Sequence, residues 1–287
     1  MRVLIPCDTD PKGISGGLTF LRNFKKGLEQ AGQWSVKEGE ADVCLIPGAT
    51  MITRETFYDI KKRMPIILRI DGIPEDWRNR GTGTTRLKEF AKEADAVVYQ
   101  SHFSRDYLGL LLKRDGGVIY NGVDFSIFNP TGKEAILSKG EPRILHVMWR
   151  QDPNKRPEEV IHLFRAINLI NPKALLVLVG RYPEGWANYN FGFFNNEKFI
   201  HIENAKDEEL AKIMRACDTL WFPSYADTCP NTVAEALACG LKVDHINQVG
   251  GVKELVARGL PDSIKEMAEQ YVALFEMILR EGVKVEA

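Results

Sequence analysis

The sequence predicts an α/β protein with two doubly wound, Rossmann-like parallel-sheet domains. Three observations carry that expectation. Short apolar runs alternate with amphipathic segments along the chain, as in a parallel sheet with crossover helices. The run at 174–180, ALLVLVG, is apolar throughout, as a strand covered on both faces must be. The alternation is interrupted by the polar, glycine-bearing stretch Thr131 to Glu141 and then restarts, which places a domain boundary there. Domains are expected at residues 1–138 and 139–262, followed by a helical tail at 263–287.

In the first half, Arg2 to Cys7 reads as a strand, followed by a turn-rich loop ending in Gly16–Gly17. Leu18 to Ala31 has a helical apolar period, closed by Gly32. Strands are expected at 41–47, 65–70, 96–101 and 117–121, and helices at 53–63, 84–94 and from His102 or Phe103 onward. The second half repeats the pattern. RILHVM at 143–148 is a strand, and Pro157 is well placed to open a helix to Ile170. Further strands are expected at 174–180 and 198–202, and a helix from Asp207. The last helix, 262–280, has apolar residues at 264, 267, 271, 274, 275 and 278. The aromatic stretch 181–196 reads equally as a lid, an acceptor loop or local packing.

Composition narrows the function classes. The chain has 287 residues, 44% hydrophobic and 27% charged, with a formal net charge of −1. Nothing global points to nucleic acid or an anionic membrane, although a local basic patch stays open. No apolar run reaches the roughly 18 residues of a membrane-spanning helix, and MRVLIPCDTD does not read as a signal peptide. The five cysteines form no C-x-x-C pair, which fits reduced thiols and a cytoplasmic location.

The chemistry concentrates in Trp221 to Gly240, WFPSYADTCPNTVAEALACG. A strand end turns through Pro223–Ser224 into a loop with Asp227, and a helix is expected over 232–239. Helix starts of this kind offer backbone N–H groups and a positive dipole to an anion. Asp227 and Glu235 repel a phosphate but suit hydroxyl groups attached to it, because carboxylates accept charge-assisted bonds from O–H donors. A second strand-to-helix loop, WRQDPNKRP, carries Arg150 and Lys155. Arginine offers a fork and lysine a point charge to a phosphate. Gly16–Gly17 lets a ligand approach the backbone closely, or is a plain turn. Asp71, after the expected strand at 65–70, reads as a helix or turn cap. His102 carries a proton near neutrality, or caps a helix.

The motif S-x-x-D-x-x-P-N-x-x-x-E-A-x-A-x-G at 224–240 resembles the acidic-x7-acidic signature of retaining GT-B glycosyltransferases of family 4. VIYNGVDFSIFNP at 118–130 is similar to that family's interdomain strand and linker, and Gly250–Gly251 with Glu254 resembles its GGxxE element. The resemblance covers nearly the whole chain and implies two domains facing a cleft. The first would bind the acceptor and the second the nucleotide sugar, with the last helix crossing back toward the first. It implies that Glu235 binds ribose, Asp227 the donor sugar, and Asn231 and Thr232 the distal phosphate. It gives Arg150 and Lys155 the diphosphate, with Arg156 a weaker candidate. Gly16 and Gly17 would lie against the donor, and Asp71 on the acceptor side. Asp227 departs from the usual glutamate, Asp71 stands where the family commonly has histidine, and LKVDHINQV at 241–249 departs from its proline-valine strand.

The expected activity is retaining transfer from a nucleotide-diphosphate sugar to an acceptor hydroxyl, with no cofactor and no metal. Asp8-x-Asp10 reads as turn chemistry. The acceptor stays open between saccharide, lipid, metabolite and modified DNA base, so nucleic acid enters only as an acceptor. A non-catalytic nucleotide-sugar binder and a nucleotide-sugar epimerase are the alternatives on the same scaffold.

Overall fold

The computed structural model describes residues 1–7, 16–36, 38–72, 81–149, 153–182, 198–224, 226–245 and 250–281. The chain divides into two compact units, Met1–Gly122 with Asp262–Ala287, and Val123–Pro261.

In the first unit the described strands are β1 (Arg2–Leu4), β2 (Trp34–Val36), β3 (Val43–Ile46), β4 (Ile66–Ile70), β5 (Ala96–Tyr99) and β6 (Gly117–Val118). They form one sheet in the order β2-β1-β3-β4-β5-β6. Every pairing is parallel. The helices are α1 (Gly16–Gln30), α2 (Arg54–Lys61), α3 (Gly81–Glu93), α4 (His102–Leu112) and the C-terminal α9 (Ile264–Glu281). Thr53 and Ser101 cap α2 and α4 by accepting from the N–H groups of Thr56 and Ser104.

The C-terminal helix α9 packs on α1. Phe20 and Phe24 stack with centroids 5.6 Å apart, and the Tyr271 ring stands edge-on to Phe24 at 5.0 Å. Gly27 permits this approach, because a methyl there would lie 2.1 Å from the Ile264 carbonyl oxygen. The start of α9 is a capping box: Ser263 Oγ accepts from Glu266 N–H, and the Glu266 carboxylate accepts from Ser263 N–H at 2.7 Å. These bonds hold the Glu266 carboxyl below its usual range.

Beneath the C-terminal strand ends lies a buried polar network. Arg69 donates to the Pro47 carbonyl, to Gln100 Oε1 at 2.6 Å and to Asn121 Oδ1 at 2.9 Å. Its guanidinium stands 3.9 Å from the Phe20 ring centroid.

The second unit holds β7 (Arg143–Met148), β8 (Leu175–Gly180), β9 (Phe199–Ile202), β10 (Thr219–Trp221) and β11 (Lys242–Asp244) in the order β11-β10-β7-β8-β9, all parallel. Its described helices are α5 (Pro157–Ile170), α6 (Glu208–Arg215), α7 (Asn231–Ala238) and α8 (Gly251–Arg258). Ile144, Met148, Val160, Phe164, Leu176, Leu178 and Trp221 share its core. The chain leaves the neighbours β7 and β10 for opposite sides of the sheet. Their C-terminal ends are therefore the topological switch point where open α/β sheets take ligands.

Two doubly wound parallel sheets are what the alternation predicts. Several details differ. The first strand ends at Leu4, short of the expected Cys7, and Gly16–Gly17 open α1 as helical residues. The departing segment 241–249 still supplies a strand at Lys242–Asp244. The units divide at Gly122–Val123, ahead of the polar stretch at 131–141. The residues between pack on α6, where Arg215 donates to the carbonyls of Asn129 and Lys133 at 3.0 and 2.9 Å.

Candidate functional site

The switch point of the second unit collects most of the expected residues. Met148 ends β7, and the chain returns through a 3-10 turn, Pro153–Lys155, into α5. Arg150 lies outside the described residues. Arg156, at positive φ, turns its guanidinium onto Glu159 in the first turn of α5. Lys155 points the other way. Its ammonium donates to Asp227 Oδ2 at 2.7 Å and stands 5.3 Å from the Phe222 ring centroid.

Asp227 sits in the loop after β10. That loop is tied to the start of α8, because the Asp227 carbonyl accepts from Gly251 N–H at 3.0 Å. Ser224 in the same loop is buried, and its hydroxyl has no hydrogen-bond partner among the described residues. Asn231 and Thr232 are the first residues of α7, one position earlier than the sequence predicts. The N-cap is Pro230, which makes no side-chain cap. Proline has no side-chain acceptor, so this helix start is left to backbone, solvent or a ligand. Glu235 lies further along α7 and is only 8% exposed. A carboxylate withdrawn from water to that extent needs donors.

Below the lysine lies a residue the sequence reading passed over. His146, on β7, is 1% exposed and its Nδ1 stands 3.1 Å from the Trp221 carbonyl on β10. A carbonyl only accepts, so the neutral ring carries its proton on Nδ1. Burial pushes His146 down to about 4, and the Lys155 charge adds to this against the Trp221 hydrogen bond. Its only advance signal is a histidine inside an apolar strand, RILHVM.

This ring has a consequence for acid stability. The folded-state value is below the usual 6.5, so the unfolded chain takes up the proton first. Stability from this group is intact above pH 6.5 and falls as pH drops toward 4, by about 3 kcal/mol in all. His146→Phe should remove that component. The wild-type minus variant difference in unfolding free energy should decline between pH 7 and 4, in urea titrations at fixed salt.

The remaining candidates lie in the first unit. Asp71 follows β4 and is exposed, with its carboxylate against Gly48 after β3. A methyl at Gly48 would come within 2.5 Å of Asp71 Oδ2, so glycine leaves the room that the carboxylate uses. Gly16 and Gly17 open α1, and Gly17 lies beside Met51. His102 is the exposed first residue of α4, and its cap is Ser101. Asp8 and Asp10 lie outside the described residues, as does most of the aromatic stretch 181–196.

Residues 129–279 match the family described as Glycosyl transferases group 1. The D-inositol 3-phosphate glycosyltransferase of Stackebrandtia nassauensis is 27% identical over 204 residues, 64% of this chain and 46% of that protein. The chain thus spans about half the length of the curated relatives it matches. Among solved structures, Anabaena HepE in complex with UDP is similar with a TM-score of 0.66 at 17% identity, covering 99% of this chain and 91% of HepE. The sucrose-phosphate synthase of Thermosynechococcus elongatus gives 0.66 at 16%, covering 98% and 97%. Both likenesses concern the fold. With the family match extending over more than half of the sequence, the chain belongs to the glycosyl transferases group 1 family.

Proposed function

We propose that the protein transfers a sugar from a nucleotide-diphosphate sugar to an acceptor hydroxyl, with retention of configuration and without a metal ion. The observation that carries this reading is the cluster at the second unit's switch point. There, the Lys155 ammonium meets Asp227 in the loop that leads to the start of α7, whose N-cap residue makes no side-chain cap, and buried Glu235 lies further along that helix. Cation and helix start suit a diphosphate, and the carboxylates suit the hydroxyls at either end of it.

In this reading Glu235 accepts from ribose hydroxyls and Asp227 from the donor sugar. Lys155, Arg150 and the N–H groups of Asn231 and Thr232 hold the diphosphate. As the bond from the anomeric carbon to phosphate breaks, charge builds on the leaving oxygen, and these fixed positive groups stabilise it. The acceptor oxygen bonds to the same face of the anomeric carbon, and its proton passes to the departing phosphate. Asp71 and the Gly16–Gly17 helix start are assigned to ligand contacts of the first unit. The HepE complex makes UDP the first nucleotide to try, and the named relatives make an inositol phosphate the first acceptor.

The test is release of nucleotide diphosphate from UDP-, GDP- and ADP-sugars over an acceptor panel that includes an inositol phosphate, a saccharide, a lipid and modified DNA, with and without EDTA. Product configuration is read by NMR. Expected are one productive donor, an unchanged rate in EDTA and retained configuration. Inversion or loss of activity in EDTA contradicts the mechanism. An epimerase would interconvert donors without releasing diphosphate, and a binding relative would do neither.

A further inference from the structure

The two groups assigned to different parts of the donor are already bound to each other. Lys155 Nζ and Asp227 Oδ2 are 2.7 Å apart, with side chains 23% and 22% exposed. Each is fixed by other contacts. The Phe222 ring lies 5.3 Å from the ammonium, and the Asp227 backbone is tethered through its carbonyl to Gly251. Beside them is the uncapped start of α7 and the buried Ser224 hydroxyl, which has no partner among the described residues. The Lys155 cation is therefore neutralised by the chain's own carboxylate, in the loop that leads to α7. An incoming diphosphate and Asp227 compete for one ammonium.

We propose that the Lys155–Asp227 pair is an exchange latch, an inference that rests on the donor-site reading above. A diphosphate takes the ammonium, and the released carboxylate becomes an acceptor for sugar hydroxyls. Breaking the ion pair offsets part of the attraction for any bare diphosphate. The loss is recovered only when hydroxyls occupy the freed carboxylate, so an intact nucleotide sugar is favoured over the nucleotide alone. After transfer the sugar hydroxyls leave, Asp227 reclaims Lys155, and the product diphosphate is let go more readily. The latch thus links donor selection to product release.

The test is titration calorimetry with UDP, GDP and ADP, and with inorganic pyrophosphate as the bare probe. Asp227→Asn removes the competitor and leaves Lys155 in place. The nucleotide that binds wild type, and pyrophosphate, should each bind about 2- to 5-fold tighter, the range for a partly exposed ion pair. Asp227→Glu keeps the charge and should retain wild-type affinity. In a Lys155→Met background, Asp227→Asn should change nothing further, because the carboxylate then has no ammonium to hold. Unchanged or weaker binding by Asp227→Asn overturns the latch. Equal tightening in the Lys155→Met background also overturns it, because simple repulsion by Asp227 then suffices. If no nucleotide binds wild type in a Glu235-dependent way, the donor-site reading falls and the latch with it. Glu235-dependent binding without the Asp227→Asn gain sinks the latch alone.

Discussion

Replacing Lys155 with alanine is expected to lower kcat/KM for the productive donor by about 100- to 1000-fold, the usual cost of removing one preorganised group at a developing anion. The ammonium stands in the β7–α5 loop, next to the β10–α7 loop, where the proposed leaving diphosphate would gather charge. Charge on the leaving oxygen is larger in the transition state than in the bound donor. The deficit should therefore fall mostly on kcat, with nucleotide diphosphate affinity reduced by only about 10-fold or less. Stability should barely change, because the pair with Asp227 is partly solvated and such pairs contribute about 1 kcal/mol or less. Lys155→Arg keeps a cation but exchanges the compact ammonium for a planar fork, so it should fall between wild type and alanine. Steady-state kinetics with matched thermal melts separates these effects. An equal loss in affinity and in kcat/KM would mean that Lys155 only binds the donor.

The second large effect is expected at Glu235. It is held at 8% exposure on α7, beyond the turn assigned to the phosphate. Hydrogen bonds to an ionised partner contribute about 1.5–3 kcal/mol. Glu235→Ala should therefore weaken the bound nucleotide about 10- to 100-fold. Glu235→Gln keeps one acceptor oxygen but loses the charge, and should retain part of the affinity. The corresponding nucleotide without ribose hydroxyls should bind wild type and Glu235→Ala alike, because the ligand then lacks the donors assigned to this carboxylate.

Much of the fold was legible because strands and helices here are punctuated locally. The apolar run at 175–180 and Pro157 at the start of α5 follow from nearest neighbours in the chain. The motif at 224–240 was legible for the same reason: loop, helix start and both carboxylates lie within one short stretch. What escaped depends on strands that are adjacent in space and distant in sequence. The Lys155–Asp227 pair spans 72 positions and exists because β10 lies beside β7. His146 is set beneath it by the same neighbourhood. Arg69 lies within the strand expected at 65–70, and nothing local marks its side chain as buried. Its side chain is instead 2% exposed and bonded to Gln100 and Asn121, 31 and 52 positions away. The start of α1 at Gly16 also escaped, because two glycines carry weak helix propensity and the helix is held by its packing against α9.

The central claim is that a nucleotide diphosphate binds the second unit with its ribose on Glu235. Thermal unfolding of wild type and Glu235→Ala with excess UDP, GDP, ADP and CMP tests it most directly. A nucleotide at a hundred times its Kd adds about 2.7 kcal/mol, or about 5–11 °C in Tm for units of this size. One nucleotide should raise the wild-type Tm by that amount and leave Glu235→Ala nearly unmoved. Equal shifts in both proteins, or no shift with any nucleotide, would contradict the account.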